Sequence, residues 1–394
     1  MIKRITIENY KSIRKLDLEL GRLNVFIGEN GSGKTNILEA IALGSAAAQD
    51  KLSNEFLAPR GIRVTAPEFM HSAFEQPAKH PIEVTFEPMT GREATYRLVC
   101  LDTAGMKPVQ WVNHNPGGLS DDELREIATR VRWRVEDRNE DHDVPVEMAG
   151  LILGALASLS EDNRQAITQL IGAPRVVPEF FVFAPENSIL RNVPYEGQIL
   201  PLGVKGEGLL DHLQALASQP DVRVLDEIND HLSLLDWFES LHVPDKDQAG
   251  RALRIRDRYL PEGVAFDQRS ANEGFLFLLF YFTLFASPHT PSFFAIDNVD
   301  ASLNPKMCAA LMRSMVALAK KHDKQAIVTT HNPSLLDGLD LHDDEQRLFV
   351  VQRRRDGSTR IERIGPPKPL DGDAPVRMSE AFVRGYIGGL PKNF

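Results

Sequence analysis

A glycine-rich segment near the N-terminus has the clearest chemical signature in this sequence. It consists of Gly28, Glu29, Asn30, Gly31, Ser32, Gly33, Lys34 and Thr35, which match the phosphate-loop pattern G-x-x-x-x-G-K-[ST] at every fixed position. Glycines let successive backbone N–H groups turn towards a phosphate, and the N-terminus of a following helix adds partial positive charge. Lys34 would contact the β- and γ-phosphates of ATP and Thr35 would hold Mg²⁺; Asn36 is a further candidate nucleotide-binding residue.

The flanks of this loop agree with the pattern. Residues 23–27 are an apolar run that predicts a short buried strand, and residues 35–43 carry apolar side chains at helical spacing. A chance glycine-rich turn is the alternative, and it does not account for a strand before the loop and a helix after it.

A second candidate group follows an apolar run at residues 293–296, which ends in Asp297. A buried strand that ends in aspartate brings a carboxylate to the edge of a parallel sheet where the phosphate loop also lies, and there it would bind Mg²⁺. Asn298 and Asp300 come directly after it. Any parallel strand can end in aspartate, so the strong phosphate loop upstream is what favours the functional interpretation.

A third apolar run, at residues 325–330, ends in His331. At the same sheet edge this histidine would sense a γ-phosphate, although a lone histidine at a strand end is often structural. Its position in the chain after Asp297 favours the functional interpretation.

Together these segments resemble an ABC-type ATPase head of the RecF/SMC-like group, and within it ATPases of the overcoming-lysogenization-defect kind. The similarity is carried by the opening at residues 7–13, the phosphate loop, Asp297, the segment at 302–305 and the segment at 330–332. It is good over the first 45 residues and about residues 265–365, and poor between them. It implies that two heads dimerise around two ATP molecules.

The resemblance also implies a role for each matching residue. Asp297 corresponds to the Walker B aspartate, His331 to the switch histidine, and residues 302–304 to the D-loop at the dimer interface. The signature segment would be residues 270–274, with either Ser270 or Asn272 in the serine role and with Gly274 as its glycine. Gln76 is a weak candidate for the glutamine loop.

One position departs from the family pattern. The family usually has glutamate directly after the Walker B aspartate, and here that residue is Asn298. An amide can orient a water molecule but cannot take its proton. Two hypotheses follow: a slow ATPase that acts as an ATP-gated switch, or an ordinary ATPase in which Asp300 is the base.

These motifs predict an α/β fold, a P-loop ATPase head with a mixed β-sheet core and an inserted helical region. We expect the first part of the core at 1–105, a mainly helical insertion at 106–261, the second part of the core at 262–365 and a tail at 366–394. Within these regions we expect a hairpin at 82–100, helices at 147–158 and 161–171, a strand at 180–183, a helical segment at 207–242, a short strand at 263–266 and a buried helix at 275–285.

Composition sets limits on partners and compartment. The chain has 394 residues, a formal net charge of −10 and two cysteines, Cys100 and Cys308. The acidic balance argues against coating nucleic acid through bulk charge and leaves room for a local basic patch. The cysteine content excludes a disulfide framework and a cysteine-rich zinc site, which favours the cytoplasm. The longest apolar run is too short to cross a bilayer, so we expect no membrane contact.

Two further surfaces are candidates for partner binding. DNA or RNA contacts are predicted at Arg130, Arg132, Arg134, Arg191 and Lys205, with ordinary solvated charge as an equally good explanation. In the tail, Ser379 is expected to cap a short helix whose apolar face is Phe382, Val383, Tyr386 and Ile387. That helix would dock on the chain's own core or on a partner.

The expected function is an ATP-dependent homodimeric switch that senses nucleic acid or an invader and regulates a separately encoded effector, a nuclease, in anti-phage defence. No nuclease-type acidic cluster or histidine arrangement follows the ATPase segments. A RecF-like repair ATPase is the alternative, and a scaffold that binds ATP with little turnover is a third class.

Overall fold

The computed structural model describes residues 1–74, 80–101, 110–113, 177–191, 201–220, 222–244, 252–366 and 377–388. The strands are β1 Ile2–Tyr10, β2 Ile13–Glu19, β3 Leu23–Ile27, β4 Ile82–Pro88, β5 Ala94–Leu101, β6 Gln110–Asn113, β7 Phe180–Phe183, β8 Phe238–His242, β9 Arg254–Asp257, β10 Phe293–Ile296, β11 Gln325–Thr330, β12 Gln346–Arg353 and β13 Thr359–Ile364. The α-helices are α1 Lys34–Ala48, α2 Asn54–Leu57, α3 Pro67–Met70, α4 Asn187–Leu190, α5 Leu209–Ala217, α6 Arg223–Leu232, α7 Glu273–Ala286, α8 Pro305–Lys321 and α9 Met378–Val383. Short 3₁₀ helices span Ala58–Arg60 and Pro333–Gly338.

The strands form two larger sheets and one ribbon, which confirms the predicted α/β class with a mixed sheet. Five antiparallel strands have the order β2-β1-β4-β5-β6, and six strands have the order β13-β12-β3-β11-β10-β7. In the six-stranded sheet all neighbours are parallel except β13, which runs antiparallel to β12. The ribbon pairs β8 with β9.

The parallel strands explain why distant parts of the chain meet. Parallel strands carry their carboxyl ends at one edge, and β12, β3, β11 and β10 are consecutive neighbours. The segments that follow these four strands therefore lie side by side at that edge. They include the glycine-rich loop after β3, Asp297 after β10 and His331 after β11.

Two apolar clusters hold the sheets in place. Helix α1 is buried along nearly its whole length and contacts strands of both larger sheets. Helix α7 is apolar on all sides, and every residue from Phe275 to its end is buried against the other face of the six-stranded sheet. Its aromatic contacts include Phe280 with Phe183, at a ring-centroid separation of 5.8 Å. The predicted buried helix at 275–285 is confirmed.

The predicted insertion at 106–261 contributes to the sheets. Strand β6 is the edge strand of the antiparallel sheet, and β7 pairs with β10 in the parallel one. Residues 114–176, which include the predicted helices at 147–158 and 161–171, lie outside the described residues. The expectation of an inserted helical region stays a prediction there.

The predicted helical segment at 207–242 is wrong at its C-terminal end. Helices α5 and α6 occupy its first part, and residues 238–242 form strand β8. The pairing of β8 with β9 shifts between Phe238 and Ser240, and Phe238 and Leu241 are both buried. This irregularity gives the strand a three-residue apolar spacing that resembles a helix. The predicted strand at 263–266 is reduced to one bridge between Ile255 and Phe266.

The tail docks on the chain's own core through one face of α9. Met378 and Phe382 are 9% and 6% exposed and belong to the core cluster. The prediction that Ser379 caps the helix is wrong, because the cap position is Arg377. Ser379 instead donates from its backbone N and its hydroxyl to the Asp337 carboxylate, at 2.9 and 2.7 Å. Val383 and Tyr386, predicted on the apolar face, are 63% and 67% exposed.

Replacing Phe382 with alanine should lower the free energy of unfolding by about 3 kcal/mol, because it removes a buried aromatic ring and leaves a cavity. Denaturant unfolding of the full chain measures the effect. Tyr386→Ala is the matched control, since an exposed ring should change stability by less than about 0.5 kcal/mol. Equal effects of the two substitutions would contradict the docking of α9 on the core.

No helix within the described ranges combines the length and the apolar content that crossing a membrane requires.

Candidate functional site

The glycine-rich loop is folded closely around its own helix N-terminus. All five residues of β3 are buried, and α1 begins directly after Gly33. Gly33 has φ 110°, and a Cβ at this position would lie 2.1 Å from Thr359 Oγ1. A Cβ on Gly28 would lie 2.1 Å from the carbonyl oxygen of Val351. Only glycine fits at these two positions, because any side chain would collide with β12 or β13.

Lys34 is held at the mouth of the loop. Its Nζ donates to the carbonyl oxygens of Gly28 and Glu29, at 2.8 and 3.0 Å. Burial lowers the pKa of the ammonium to about 8, and the charges of Asp297 and Asp300 oppose that shift. The ammonium therefore lies in the field of both carboxylates.

Thr35 and Asp297 are in direct contact although they are far apart in sequence. Thr35 Oγ1 donates to Asp297 Oδ2 at 3.0 Å, and the other oxygen of Asp297 accepts from the hydroxyl of Thr329. A hydroxyl beside one carboxylate is the oxygen ligand set that Mg²⁺ takes when phosphate oxygens and water complete its shell. No group of three or more histidine, cysteine, aspartate or glutamate residues suited to a metal ion is found within the described ranges.

The hydroxyl of Ser32 gives a direct test of whether a phosphate fits this loop. Ser32 Oγ is fully buried and has no hydrogen-bond partner within the described part of the chain. Buried hydroxyls are normally paired, because an unpaired one loses its bonds to water without compensation. A phosphate oxygen in the loop would pair with this hydroxyl, so the residues present fit a bound nucleotide.

Hydrogen bonds from distant residues fix the loop from outside. Thr359 Oγ1 donates to the carbonyl oxygen of Ser32 at 3.0 Å, so Ser12 Oγ, at 2.7 Å, must donate to Thr359 Oγ1. Ser12 Oγ in turn accepts from Asn36 Nδ2 at 2.7 Å. Each hydroxyl has one proton, so the direction of the chain is determined. Asn36, predicted to bind nucleotide, thus lies at the start of a chain that supports the loop.

A buried ion cluster holds the next turn of α1. Glu39 is fully buried and binds Lys11 Nζ at 2.5 Å and Arg63 Nε at 2.6 Å. Tyr10 Oη also donates to it, at 3.4 Å. The cluster ties α1 to the β1–β2 turn and to the segment after α2. Lys11 and Arg63 together compensate the buried carboxylate, and removing both would leave its charge unpaired.

The backbone conformation of Asn298, the residue directly after Asp297, suits an asparagine. Its φ is 55°, in the left-handed region, where asparagine is tolerated better than other residues with side chains. The backbone N donates to Thr329 Oγ1 at 2.9 Å, and the residue is exposed. Placing glutamate there would cost about 1 kcal/mol of backbone strain.

Asp300 and His331 are tied to each other through β11. Asp300 Oδ1 accepts from Thr330 Oγ1 at 2.6 Å and from the backbone N of His331 at 3.4 Å. Partial burial and the charge of Lys34 lower the pKa of His331, against the charges of Asp300 and Asp297. The imidazole is therefore neutral at pH 7. Lys34, Asp297, Asp300 and His331 thus share one electrostatic environment.

The signature candidates lie at the start of α7. Asn272 occupies the cap position and its Oδ1 accepts from Phe275 N at 2.8 Å, while Ser270 is exposed. A Cβ on Gly274 would lie 3.4 Å from the Ser302 carbonyl oxygen, so the segment packs beside the D-loop candidate at 302–304. Asn304 caps α8 and Ser302 has φ 61°. Gln76 lies outside the described residues.

The structure assigns other partners to two of the predicted nucleic-acid contacts. Arg191 Nη1 donates to the carbonyl oxygens of Arg269 and Gln268, at 2.6 and 3.5 Å, directly before the signature candidates. Lys205 pairs with Glu186 at 2.9 Å. Arg130, Arg132 and Arg134 lie outside the described residues.

Sequence reasoning missed Ser12, Thr329, Arg353 and Thr359. Ser12 and Thr359 support the loop, and Thr329 donates a hydrogen bond to Asp297. Arg353 Nε donates to the carbonyl oxygen of Gly31 at 2.8 Å. A hydroxyl at the carboxyl end of a strand beside the aspartate strand was the available signal for Thr329. The others are joined to the loop by contacts with no local sequence pattern.

Raising the pH through 8 should weaken ATP binding. A phosphate beside Lys34 would raise the pKa of the ammonium group. Above pH 8 Lys34 is mostly neutral in the free protein, so it must take up a proton when ATP binds. Affinity should be constant between pH 7 and 7.5 and fall by up to about tenfold per pH unit above 8. Calorimetry in two buffers of different ionisation heat measures the proton uptake. Lys34→Arg should flatten the profile, and an unchanged wild-type affinity up to pH 9.5 would contradict this linkage.

Comparison with known proteins agrees with this geometry. Residues 1–75 match a family described as "AAA ATPase domain". Residues 114–337, more than half of the chain, match "AAA domain, putative AbiEii toxin, Type IV TA system". By structure, the chain resembles an Smc head solved in complex with the C-winged helix domain of ScpA. The TM-score is 0.53 at 15% identity, covering 92% of this chain and 98% of the other, which supports the fold alone.

Curated relatives match over shorter segments. The chain is 50% identical over 42 residues to a DNA replication and repair protein RecF of Phocaeicola vulgatus, which is 10% of this chain and 11% of the relative. It is 31% identical over 126 residues to RecF of Glaesserella parasuis, which covers 30% of this chain and 34% of the relative. It is 46% identical over 43 residues to an OLD nuclease of Thermus scotoductus, which covers 11% of this chain and 8% of the relative. The chain thus matches between 8% and 34% of the length of these relatives.

The loop around Lys34, the fold and these matches lead to one assignment. The chain belongs to the AAA ATPase family described as "AAA domain, putative AbiEii toxin, Type IV TA system", and its fold resembles that of an Smc head.

Proposed function

We propose that this ATPase binds ATP and Mg²⁺ at the glycine-rich loop, hydrolyses ATP slowly and dimerises on ATP. The contact of Thr35 Oγ1 with Asp297 Oδ2 at 3.0 Å is the observation that carries the proposal. Thr35 and Asp297 would hold Mg²⁺, and the backbone of residues 28–33, Ser32 Oγ and Lys34 would bind the phosphates. Bound Mg²⁺ would neutralise charge on the transferred phosphoryl group.

The residues around the γ-phosphate position have distinct proposed roles. Asp300 is oriented by Thr330 and would accept the proton of the attacking water, while His331, neutral at pH 7, would contact the phosphate. Asn298 would orient water but would take no proton. The proposal of slow turnover rests on Asn298, because the residue directly after Asp297 cannot take the proton and Asp300 must take it from position 300.

Dimerisation is proposed from the arrangement of α7. Gly274, in the first turn of α7, lies beside Ser302 and Leu303 of the D-loop candidate, and Ser270 is exposed just before this helix. A helix N-terminus favours an anion, here the γ-phosphate held by a second copy. Either Ser270 or Asn272 could take the serine role of the signature. The Oδ1 atom of Asn272 already accepts the hydrogen bond from Phe275 N in its own helix.

The molecular mass in solution, measured by light scattering with and without ATP, tests the dimer. We expect a dimer with ATP and Mg²⁺ and a monomer without nucleotide. Ser270→Arg should keep the protein monomeric, because the substitution adds bulk at the proposed interface only. The monomer should still bind ATP. A mass that does not respond to ATP would contradict the proposal.

We further propose that the dimer regulates a separately encoded effector, a nuclease, in anti-phage defence. The match to a family described as a toxin of a type IV system and the similarity to an OLD nuclease support this role. A RecF-like role in DNA repair is the second candidate, favoured by the RecF matches. Purification of the native operon followed by mass analysis separates them, because only the first requires a stoichiometric effector protein.

A further inference from the structure

A positively charged hairpin lies beside the phosphate loop, and the exposed arginines at its tip have no role in the functions proposed above. We define the arginine hairpin as residues 353–359, which join β12 to β13. Arg353, Arg354 and Arg355 are consecutive and exposed. The turn is closed by hydrogen bonds from Arg354 N to the Ser358 carbonyl at 2.7 Å and from Gly357 N to the Arg354 carbonyl at 3.0 Å. The three arginines thus lie on a defined turn.

Two of these arginines are available to a ligand. Arg354 and Arg355 have no ion pair with any other described residue, and they belong to a chain of net charge −10. The carboxylate within the turn, Asp356, is engaged by the backbone N and hydroxyl of Ser358, at 2.9 and 2.7 Å, and by Arg14 at 3.6 Å. Asp356 also lies in the field of Arg354 and offsets part of the positive charge, but one carboxylate faces three consecutive arginines, so the hairpin stays positive.

An aromatic ring borders the same turn. A Cβ on Gly357 would lie 3.1 Å from Phe74 Cε1, so the ring edge packs against the hairpin. Phe74 is 36% exposed, which is high for phenylalanine. Guanidinium groups beside an exposed aromatic ring are the combination that binds single-stranded nucleic acid, with phosphates on the arginines and a base stacked on the ring.

The hairpin is also attached to the phosphate loop. Arg353 bridges the two, since its Nε donates to the Gly31 carbonyl at 2.8 Å and its Nη1 to the Gly357 carbonyl at 2.6 Å. Thr359, at the other end of the hairpin, donates to the Ser32 carbonyl. A ligand that moves the hairpin would therefore move the backbone that surrounds the phosphates.

We propose that the arginine hairpin and Phe74 form a binding surface for single-stranded nucleic acid, and that this binding is coupled to nucleotide binding at the phosphate loop. The surface is separate from the contacts predicted from the sequence at 130–134, 191 and 205. The coupling rests on the proposed ATP site, whereas the binding itself does not.

Fluorescence anisotropy with a labelled single strand of thymidines and the full-length protein tests the surface. Arg354→Ala with Arg355→Ala should weaken binding at least tenfold at 100 mM salt. Because each lost phosphate contact lowers the slope of log affinity against log salt by about 0.7, the double variant should lower it by about 1.4. Phe74→Ala should weaken binding by about 5- to 150-fold and leave the salt slope unchanged, since stacking releases no counterions.

The matched control removes two positive charges elsewhere. Lys320 lies at the end of α8, at the opposite edge of the parallel sheet, and Arg254 lies on β9; both are exposed. Lys320→Ala with Arg254→Ala should keep affinity and slope. Equal losses in the two double variants, or no loss in either, would overturn the proposal. So would a blunt duplex that binds as tightly as the single strand, or polyglutamate that competes as well as the oligonucleotide.

Coupling has its own readout. Affinity for the oligonucleotide should differ with and without a non-hydrolysable ATP analogue, and the analogue's affinity should change by the same factor when the oligonucleotide is bound. Lys34→Ala should retain oligonucleotide binding and lose its response to the analogue. If the wild type binds the oligonucleotide without responding to the analogue, the coupling alone is overturned. If the analogue does not bind, the proposed function is overturned together with the coupling, and the oligonucleotide-binding surface stands.

Discussion

Replacing Lys34 with alanine should abolish measurable ATP binding while the protein stays folded. The substitution deletes an ammonium held within 3.0 Å of two loop carbonyls, at the place where the β- and γ-phosphates would lie. Charge-assisted hydrogen bonds to phosphate are roughly twice as strong as neutral ones, so we expect at least about a 100-fold loss of affinity. A calorimetric titration with ATP and Mg²⁺ measures it.

Lys51→Ala is the matched control for this variant. Lys51 lies just beyond the far end of the same helix and is paired with Glu179 at 3.7 Å on the surface. Removing it deletes the same charge from the chain away from the loop, so ATP affinity should stay within about twofold because exposed ion pairs contribute little. If Lys34→Ala and the wild type bound ATP equally well, the glycine-rich loop would not be the nucleotide site.

Replacing Asp300 with asparagine should lower ATP hydrolysis by about 100-fold or more and leave ATP binding unchanged, because general-base catalysis typically contributes that much. Asparagine can still accept the hydrogen bond from Thr330 Oγ1 through its amide oxygen, so the geometry of the strand end is kept and only proton acceptance is lost. Phosphate release under saturating ATP measures the effect. Wild-type turnover itself should lie well below the ~10 s⁻¹ typical of enzymes.

Asn298→Gly separates the two hypotheses for hydrolysis. Glycine accepts the left-handed φ of 55° without strain and removes the amide. If Asp300 is the base, Asn298→Gly should change turnover only a few-fold. The other hypothesis requires three results together: Asp300→Asn hydrolyses ATP like the wild type, dimerisation still requires ATP, and Asn298→Gly slows turnover. The protein would then be a switch in which the amide of Asn298 orients the water.

The sequence by itself determined the local parts of this site. The glycine-rich loop was identifiable because strand, glycine turn and helix follow one another in a single stretch, and each has its own pattern. The apolar runs that end in Asp297 and His331 predicted side chains at one sheet edge, since parallel strands align their carboxyl ends. The all-apolar helix at 275–285 was equally clear, because its composition alone requires burial on every side.

The tertiary structure decided which of these parts touch. The strand order β12-β3-β11-β10 brings Thr35 to Asp297, 262 positions apart, and Arg353 to Gly31, 322 positions apart. In the folded chain β7 pairs with β10 in the parallel sheet, and residues 238–242 pair with β9 as a strand. Periodicity reports which face of a segment is buried, but the element that covers the face is chosen by packing of the whole chain. Ser12, Arg353 and Thr359 had no local signal for that reason, because their hydrogen bonds to the loop exist only once the sheet has formed.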